Sequence, residues 1–207
     1  MSCPKECRRF SQYDTTGRVF SGFLYLLFKV HKNPLKTRPV VSYCGNLLHT
    51  LGQIITEWLQ PLAKMQKSYF QDSFTLKKEL DLQEIPSNAR LFICHATSMY
   101  TNIRTGPALH RIGQFTLENK EYLTVPPAVL MDALRLLMTK NIFQFGDTFW
   151  LQKVGTAMGA PPAPPWATIF FGIHEDTVLC KIWTKTLDLS LLHLRRPRHL
   201  AGRSRTS

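Results

Sequence analysis

A long apolar stripe in the first third of the chain constrains the fold more than any other feature. It follows Asn46, a good helix cap, and its members recur at intervals of three and four residues. They are Leu47, Leu48, Leu51, Ile54, Ile55, Trp58, Leu59 and Leu62. This period is typical of an amphipathic helix with one buried face. Because such a face needs apolar partners, the stripe predicts a packed core and excludes a disordered chain.

Further helices and strands are predicted around this helix, without a regular βαβ order. We expect a buried strand over residues 23–30 and a second strand over 90–95. A hairpin of residues 142–145 and 148–152 is expected around the turn Gly146-Asp147. Helices are expected over residues 73–81, 126–140 and 166–175, with a basic surface loop bracketed by Pro34 and Pro39 and a Gly- and Pro-rich loop over 153–165. This mixture predicts an α+β fold.

The chain is strongly basic, with 26 Lys and Arg against 14 Asp and Glu and a formal net charge of +12. Such a field favours polyanions, and nucleic acid is the first partner class to consider. The five cysteines are scattered, which is not the spacing of a disulfide framework or a four-ligand zinc site. The apolar run between Val19 and Phe28 is shorter than the roughly 20 residues of a membrane span. We therefore expect an intracellular protein, nuclear or cytoplasmic, that is not secreted and has no membrane partner.

Three sequence blocks carry chemistry. Residues 28–42 read FKVHKNPLKTRPVVS, with three lysines and an arginine in one short stretch. Lysine offers a point charge and arginine a two-pronged donor, which suits a triphosphate, although a solvated loop would show the same charges. Residues 97–103 read TSMYTNI, and residues 155–164 read GTAMGAPPAP. In these blocks and their order, the chain resembles reverse transcriptases of Penelope-like retroelements.

The resemblance implies the fingers and a partial palm of a right-hand polymerase over residues 23–185, truncated before the thumb, after an N-terminal segment over residues 1–22. It implies that Lys29, Lys32 and Arg38 hold the phosphates of an incoming dNTP, and that the ring of Tyr100 excludes a ribose 2′-hydroxyl. An ordinary packed tyrosine is the alternative for Tyr100. The partners implied are an RNA or DNA template and its primer. Contacts to the template and the new base pair are implied for Gly155, Thr156, Met158 and Gly159.

The catalytic carboxylates of the family have no counterpart in this sequence. Two divalent cations drive polymerase chemistry, and hard cations such as Mg²⁺ need clustered carboxylates. His95 occupies the position of the first metal-ligating aspartate, and the chain contains no Asp-Asp pair. A neutral imidazole is a poor Mg²⁺ ligand, and a protonated one repels the ion. We therefore expect no metal cofactor in this copy, although the ancestral family uses Mg²⁺, and no unaided polymerisation.

The basic tail over residues 186–207 has two interpretations. Residues 194–201 read LRRPRHLA, and codons for them exist that, shifted by one base, read Phe-Asp-Asp-Leu-Val-Ile-Trp. That string resembles the missing aspartate motif, which favours a frame change. The rival interpretation is a genuine basic extension that contacts nucleic acid or serves as a nuclear signal.

Three hypotheses for the whole chain follow. The first is a degenerate, catalytically inactive reverse transcriptase fragment from a retroelement. The second is a non-catalytic RNA or RNA-DNA binding protein that uses the basic fingers loop and the arginine-rich tail. The third is a fragment that folds poorly, because a palm sheet without its last hairpin has an unpaired edge.

Overall fold

The computed structural model describes residues 8–10, 21–31, 33–82 and 96–179. Its strands are β1 (Arg8–Phe10), β2 (Gly22–Lys29), β3 (Lys36–Ser42), β4 (Ile142–Phe145) and β5 (Thr148–Leu151). Its helices are α1 (His49–Lys64), α2 (Ser73–Asp81), α3 (Met99–Asn102), α4 (Thr105–Glu118), α5 (Pro127–Thr139) and α6 (Ala163–His174). A 3₁₀ turn covers Lys120–Tyr122, and a π-helical turn, Glu175–Leu179, extends α6. The predicted α+β class is confirmed.

The strands form one mixed sheet in the order β1-β5-β4-β2-β3. Both hairpins, β2–β3 and β4–β5, are antiparallel, β1 runs antiparallel to β5, and β2 and β4 join the hairpins in parallel. The strand β1 lies within the N-terminal segment, so this segment contributes to the same sheet as the rest of the chain. The sheet thus brings residues of the first fifty positions next to the hairpin that precedes the Gly- and Pro-rich loop.

The helices form the other layer and carry the core. Helix α1 packs on α5 and α6, and α4 packs on the same two helices. Side chains with no exposed surface come from each of them, among them Ile55, Leu59, Leu62, Ile112, Leu130, Leu134, Leu137, Trp166 and Ile169. Burying a side chain of this size stabilises the fold by about 1.5–3 kcal/mol each. Most of the α1 stripe therefore meets its predicted apolar partners, but Leu47 and Ile54 remain exposed, against the prediction. The helix begins at His49 rather than at Asn46.

Several boundaries agree with the sequence predictions. Helix α2 spans the predicted residues, and the Asp72 carboxylate caps it by accepting a hydrogen bond from the Thr75 N–H at 2.8 Å. That hydrogen bond is the main cause that lowers the pKa of the Asp72 carboxyl. Helix α5 and the hairpin β4–β5 also lie where they were expected. Helix α6 begins three residues earlier than predicted, at Ala163.

Other predictions were wrong or lie outside the described residues. The basic segment after Pro34 is not a loop throughout, because Lys36–Ser42 is strand β3. The strand β2 was expected to be buried, but 51% of Phe23 and 49% of Leu27 are exposed. Helix α4 was not predicted. The strand expected over 90–95 and the tail over 186–207 fall outside the described residues. Of the helices that the structure describes, none has the length and apolar content that crossing a membrane requires.

Candidate nucleic-acid interface

Three basic residues of the first block, Lys29, Lys36 and Arg38, lie on one face of the β2–β3 hairpin. Lys29 is paired with Lys36 across the two strands, and Arg38 is paired with Leu27. Side chains directly opposite each other in an antiparallel pair share a face, so all three cations point the same way. Lys36 and Arg38 are exposed, and Lys29 is half-buried. Lys32, the remaining predicted phosphate ligand, lies outside the described residues.

These cations have no anionic partner on the hairpin. Neither strand contains Asp or Glu, and the ion pairs among the described residues are Lys67 with Asp176 and Lys77 with Asp81. Like charges directly opposite each other on a sheet destabilise the pairing. A bound anion would remove this repulsion, so the end of the hairpin is electrostatically suited to phosphate.

The edge strand β3 is attached to the loop of the third block. The Val41 N–H points away from β2 and donates to the Met158 carbonyl at 2.7 Å. Gly159, with φ +101°, approaches the Val41 carbonyl so closely that any Cβ at this position would overlap that oxygen. Pro39 lies two residues before Val41, on the same outward-facing side of the ladder, where a missing N–H removes no bond to β2. The sequence block from 28 to 42 and the loop are therefore in direct contact.

The same loop also contacts the second block. The Thr156 N–H donates to the Tyr100 carbonyl at 2.7 Å. Gly155 has φ +82°, and a Cβ built on it would lie 2.9 Å from the carbonyl oxygen of Thr101. Thr156 is buried, and its hydroxyl accepts a hydrogen bond from the indole N–H of Trp166 at 3.1 Å. At position 155, both the backbone angle and the close approach to Thr101 require glycine.

The second block itself is a short, tightly turned segment. Ser98 has φ 51°, in the left-handed region, and precedes the single turn of α3. The Thr101 hydroxyl donates to the Ser98 carbonyl at 2.9 Å, and the Asn102 amide donates to the Thr97 carbonyl at 3.1 Å. The ring of Tyr100 is half-buried and packs against the core, so part of its surface stays accessible.

A series of side-chain hydrogen bonds connects Tyr43 to the start of the loop over residues 153–165. The buried Tyr43 hydroxyl donates to Asn141 at 2.7 Å, and the Asn141 amide donates to Gln152 at 2.7 Å. The Gln152 amide in turn donates to the carbonyl of Val154 at 3.0 Å. Burial raises the pKa of the Tyr43 phenol, which keeps it a neutral donor. The sequence predictions missed this series of hydrogen bonds, because its only trace in the sequence is three polar residues at strand ends.

The described residues do not fit a Mg²⁺ site. No group of three or more His, Cys, Asp or Glu side chains within ranges 8–10, 21–31, 33–82 and 96–179 is arranged to hold a metal ion. His95, at the predicted position of the first metal-ligating aspartate, falls outside these ranges. No carboxylate belongs to the loop over 153–165 or to residues 96–103, which directly follow position 95 in the sequence. The described residues therefore offer no set of ligands for a catalytic Mg²⁺.

Comparison with known proteins adds no family assignment. A scan against protein-family models gave no match, and a search of curated proteins gave none. The three blocks are separated by more than fifty residues each in the sequence, and the loop of the third block contacts both of the others. This junction, with the cationic hairpin beside it, is the candidate site.

Proposed function

We propose that the chain is a degenerate reverse transcriptase domain of the Penelope-like type, which binds nucleic acid at this junction and does not itself polymerise. The observation that carries the proposal is the convergence of the three blocks. Val41 of the first block and Tyr100 of the second bond to neighbouring parts of one loop, at Met158 and Thr156. Blocks chosen only by their resemblance to one family have no reason to meet unless they belong to one site.

The charge on the hairpin supports binding. Lys29, Lys36 and Arg38 lie on one face without a carboxylate in either strand. In the proposed site, these cations contact phosphates, and the loop from Gly155 to Gly159 lies beside the nucleic acid. Binding that depends on phosphate contacts weakens as salt rises, by about 0.7 in log K per contact and per log unit of salt for single strands.

The missing carboxylates support the loss of polymerisation. The chain has no Asp-Asp pair, and a histidine stands at position 95. Without clustered carboxylates, the primer hydroxyl and the leaving pyrophosphate have no hard cation to stabilise their charge. A non-catalytic RNA or RNA-DNA binding role uses the same hairpin cations and is the second candidate.

Two assays on the purified chain test the proposal. In the first, a labelled primer on an RNA template is incubated with dNTPs and Mg²⁺ or Mn²⁺, and we expect no extension. Repeated extension would contradict the inactive assignment. In the second, the affinity for RNA and for an RNA-DNA hybrid is measured as salt is raised.

A charge-matched pair of variants locates the binding. The test variant replaces Lys29, Lys36 and Arg38 with Gln. The control replaces three exposed cations outside the hairpin, Lys64, Lys120 and Arg135, with Gln. We expect the test variant to lose affinity and to reduce the salt slope by about 2, since roughly 0.7 is lost per contact. Equal losses in both variants would show that only net charge matters, and absence of binding at low salt would remove the binding proposal.

A further inference from the structure

The open face of strand β2 carries exposed rings next to the hairpin cations. Alternate residues of the strand point to opposite faces of the sheet. Leu24 and its cross-strand partner Val41 pack into the core, whereas Phe23, Tyr25 and Leu27 point the other way and are 51%, 45% and 49% exposed. Surface apolar residues grouped in this way, with polar residues around them, mark a binding surface rather than scattered exposure.

The cations extend this apolar row along the same face. Arg38 lies opposite Leu27, and the Lys29–Lys36 pair lies at the end of the strands. With a rise of about 3.3 Å per residue, the two rings are spaced by roughly 7 Å, and Lys29 is roughly 13 Å beyond Tyr25. An extended row of rings that ends in positive charge, without carboxylates in either strand, is complementary to a chain of apolar rings linked by negative charges.

The positive charge of this face indicates which kind of partner it can bind. A second copy of the chain would bring its own Lys29, Lys36 and Arg38 against these cations, and the repulsion would oppose pairing. A duplex presents its phosphates but keeps its bases stacked inside, so it would leave the rings uncovered. Unpaired nucleotides expose both a base face and a phosphate, and they satisfy both parts of the surface.

We propose that this face binds single-stranded nucleic acid, with unpaired bases stacked on Phe23 and Tyr25 and their phosphates held by Lys29, Lys36 and Arg38. The inference rests on the proposed nucleic-acid binding and deepens it, because it names the unpaired strand as the ligand. Stacking of a base on an aromatic ring is sequence-tolerant, so the platform is expected to accept any short single strand.

The test compares ring removal with removal of an aliphatic neighbour. A double variant, Phe23→Thr with Tyr25→Thr, keeps a strand-forming residue at both positions and keeps every cation. Leu27→Thr is the matched control on the same face. A separate variant, Tyr25→Phe, keeps the aromatic ring and removes only the hydroxyl. Circular dichroism melts verify that each variant is folded. The probes are a labelled oligouridine and a blunt RNA duplex of equal length.

We expect the double variant to bind oligouridine at least about tenfold more weakly, since each lost ring costs roughly 5- to 150-fold. The salt slope of the double variant and its affinity for the duplex should stay unchanged. Leu27→Thr should change the affinity for oligouridine by less than about threefold, and Tyr25→Phe should bind oligouridine as the wild type does. Unchanged oligouridine affinity in the double variant would overturn the stacking platform while leaving the cation-dependent function intact. Equal losses in Leu27→Thr and the double variant would overturn it as well, because they indicate an apolar contact without stacking. Failure of the wild type to bind at low salt would remove both proposals.

A measurement on the wild type needs no substitution. An oligouridine that contains 2-aminopurine fluoresces less when that base is stacked, so binding should quench the signal at saturating protein. Binding with unchanged or increased fluorescence would overturn the stacking geometry even if a variant failed to fold.

Discussion

Replacement of Gly155 with alanine should destabilise the protein through two separable effects. Gly155 has φ +82°, and a non-glycine residue in the left-handed region costs about 1–2 kcal/mol. The new methyl group would also lie 2.9 Å from the carbonyl oxygen and 3.0 Å from the Cα of Thr101. Both are backbone atoms and cannot rotate away, so α3 and the loop must move apart, which adds roughly 1–3 kcal/mol.

Gly45→Ala is the matched control for the backbone angle. Gly45 has φ +75°, and a Cβ built on it meets nothing within 4 Å. The left-handed cost and the reduced entropy of the unfolded chain therefore apply to both variants, whereas only a Cβ at position 155 meets Thr101. The difference between the two free energies of unfolding measures the contact between the second and third sequence blocks.

Urea unfolding followed by circular dichroism measures this difference. With a slope of about 2 kcal/mol per M, Gly155→Ala should unfold at a midpoint roughly 0.5–1.5 M below that of Gly45→Ala. Equal midpoints for the two variants would refute the close approach of Gly155 to Thr101, and with it the assembly of the site.

Four further predictions concern the site and the tail. Burial raises the pKa of the Tyr43 phenol above its ordinary value of 10.0, so above that pH only the unfolded chain ionises at this position and the wild type should lose stability. The variant Tyr43→Phe lacks this phenol and should lack this loss. A difference in stability between the two proteins that stays constant with pH would contradict the prediction. Thr156→Val leaves the Trp166 indole N–H unpaired and should lower the free energy of unfolding in urea by about 1–3 kcal/mol. Thr156→Ser keeps the acceptor hydroxyl and should lower it less. Equal losses of stability in the two variants would show that the hydrogen bond contributes nothing. His95→Asp adds one carboxylate to a chain without an Asp-Asp pair, so primer extension should stay absent, and measurable synthesis would refute the requirement for the pair. For residues 186–207, we expect the nucleotide sequence to encode Phe-Asp-Asp in a shifted frame, and its absence from all frames would make the basic tail genuine.

The sequence predicted best those elements whose pattern is local. Helix α5 and the β4–β5 hairpin have regular periods and clear breakers, and they lie where they were expected. Helix α4 was missed because its sequence, TGPALHRIGQFTLE, contains two glycines and a proline, which lower helix propensity. Ala108, Ile112 and Thr116 are nevertheless buried along one face, and this four-residue spacing was the available signal.

The assembly of the site depended on tertiary contacts that periodicity does not encode. Pro39 suggested a loop, but β3 is an edge strand in which that position needs no N–H bond to β2. The exposed face of β2 was likewise hidden in a run that reads as uniformly apolar. Tyr43 and Asn141 are 98 positions apart, so their hydrogen bond could be inferred only from the folded chain.

The bond between Val41 and Met158 also orders events in time. The β2–β3 hairpin closes through near neighbours in the chain, whereas the loop that completes its outer edge is made more than a hundred residues later. Contacts with such separation form slowly, because a long stretch of chain must be brought together first. During synthesis, the Val41 N–H faces water until residues 155–159 have left the ribosome, and the binding junction is therefore among the last parts of the domain to form.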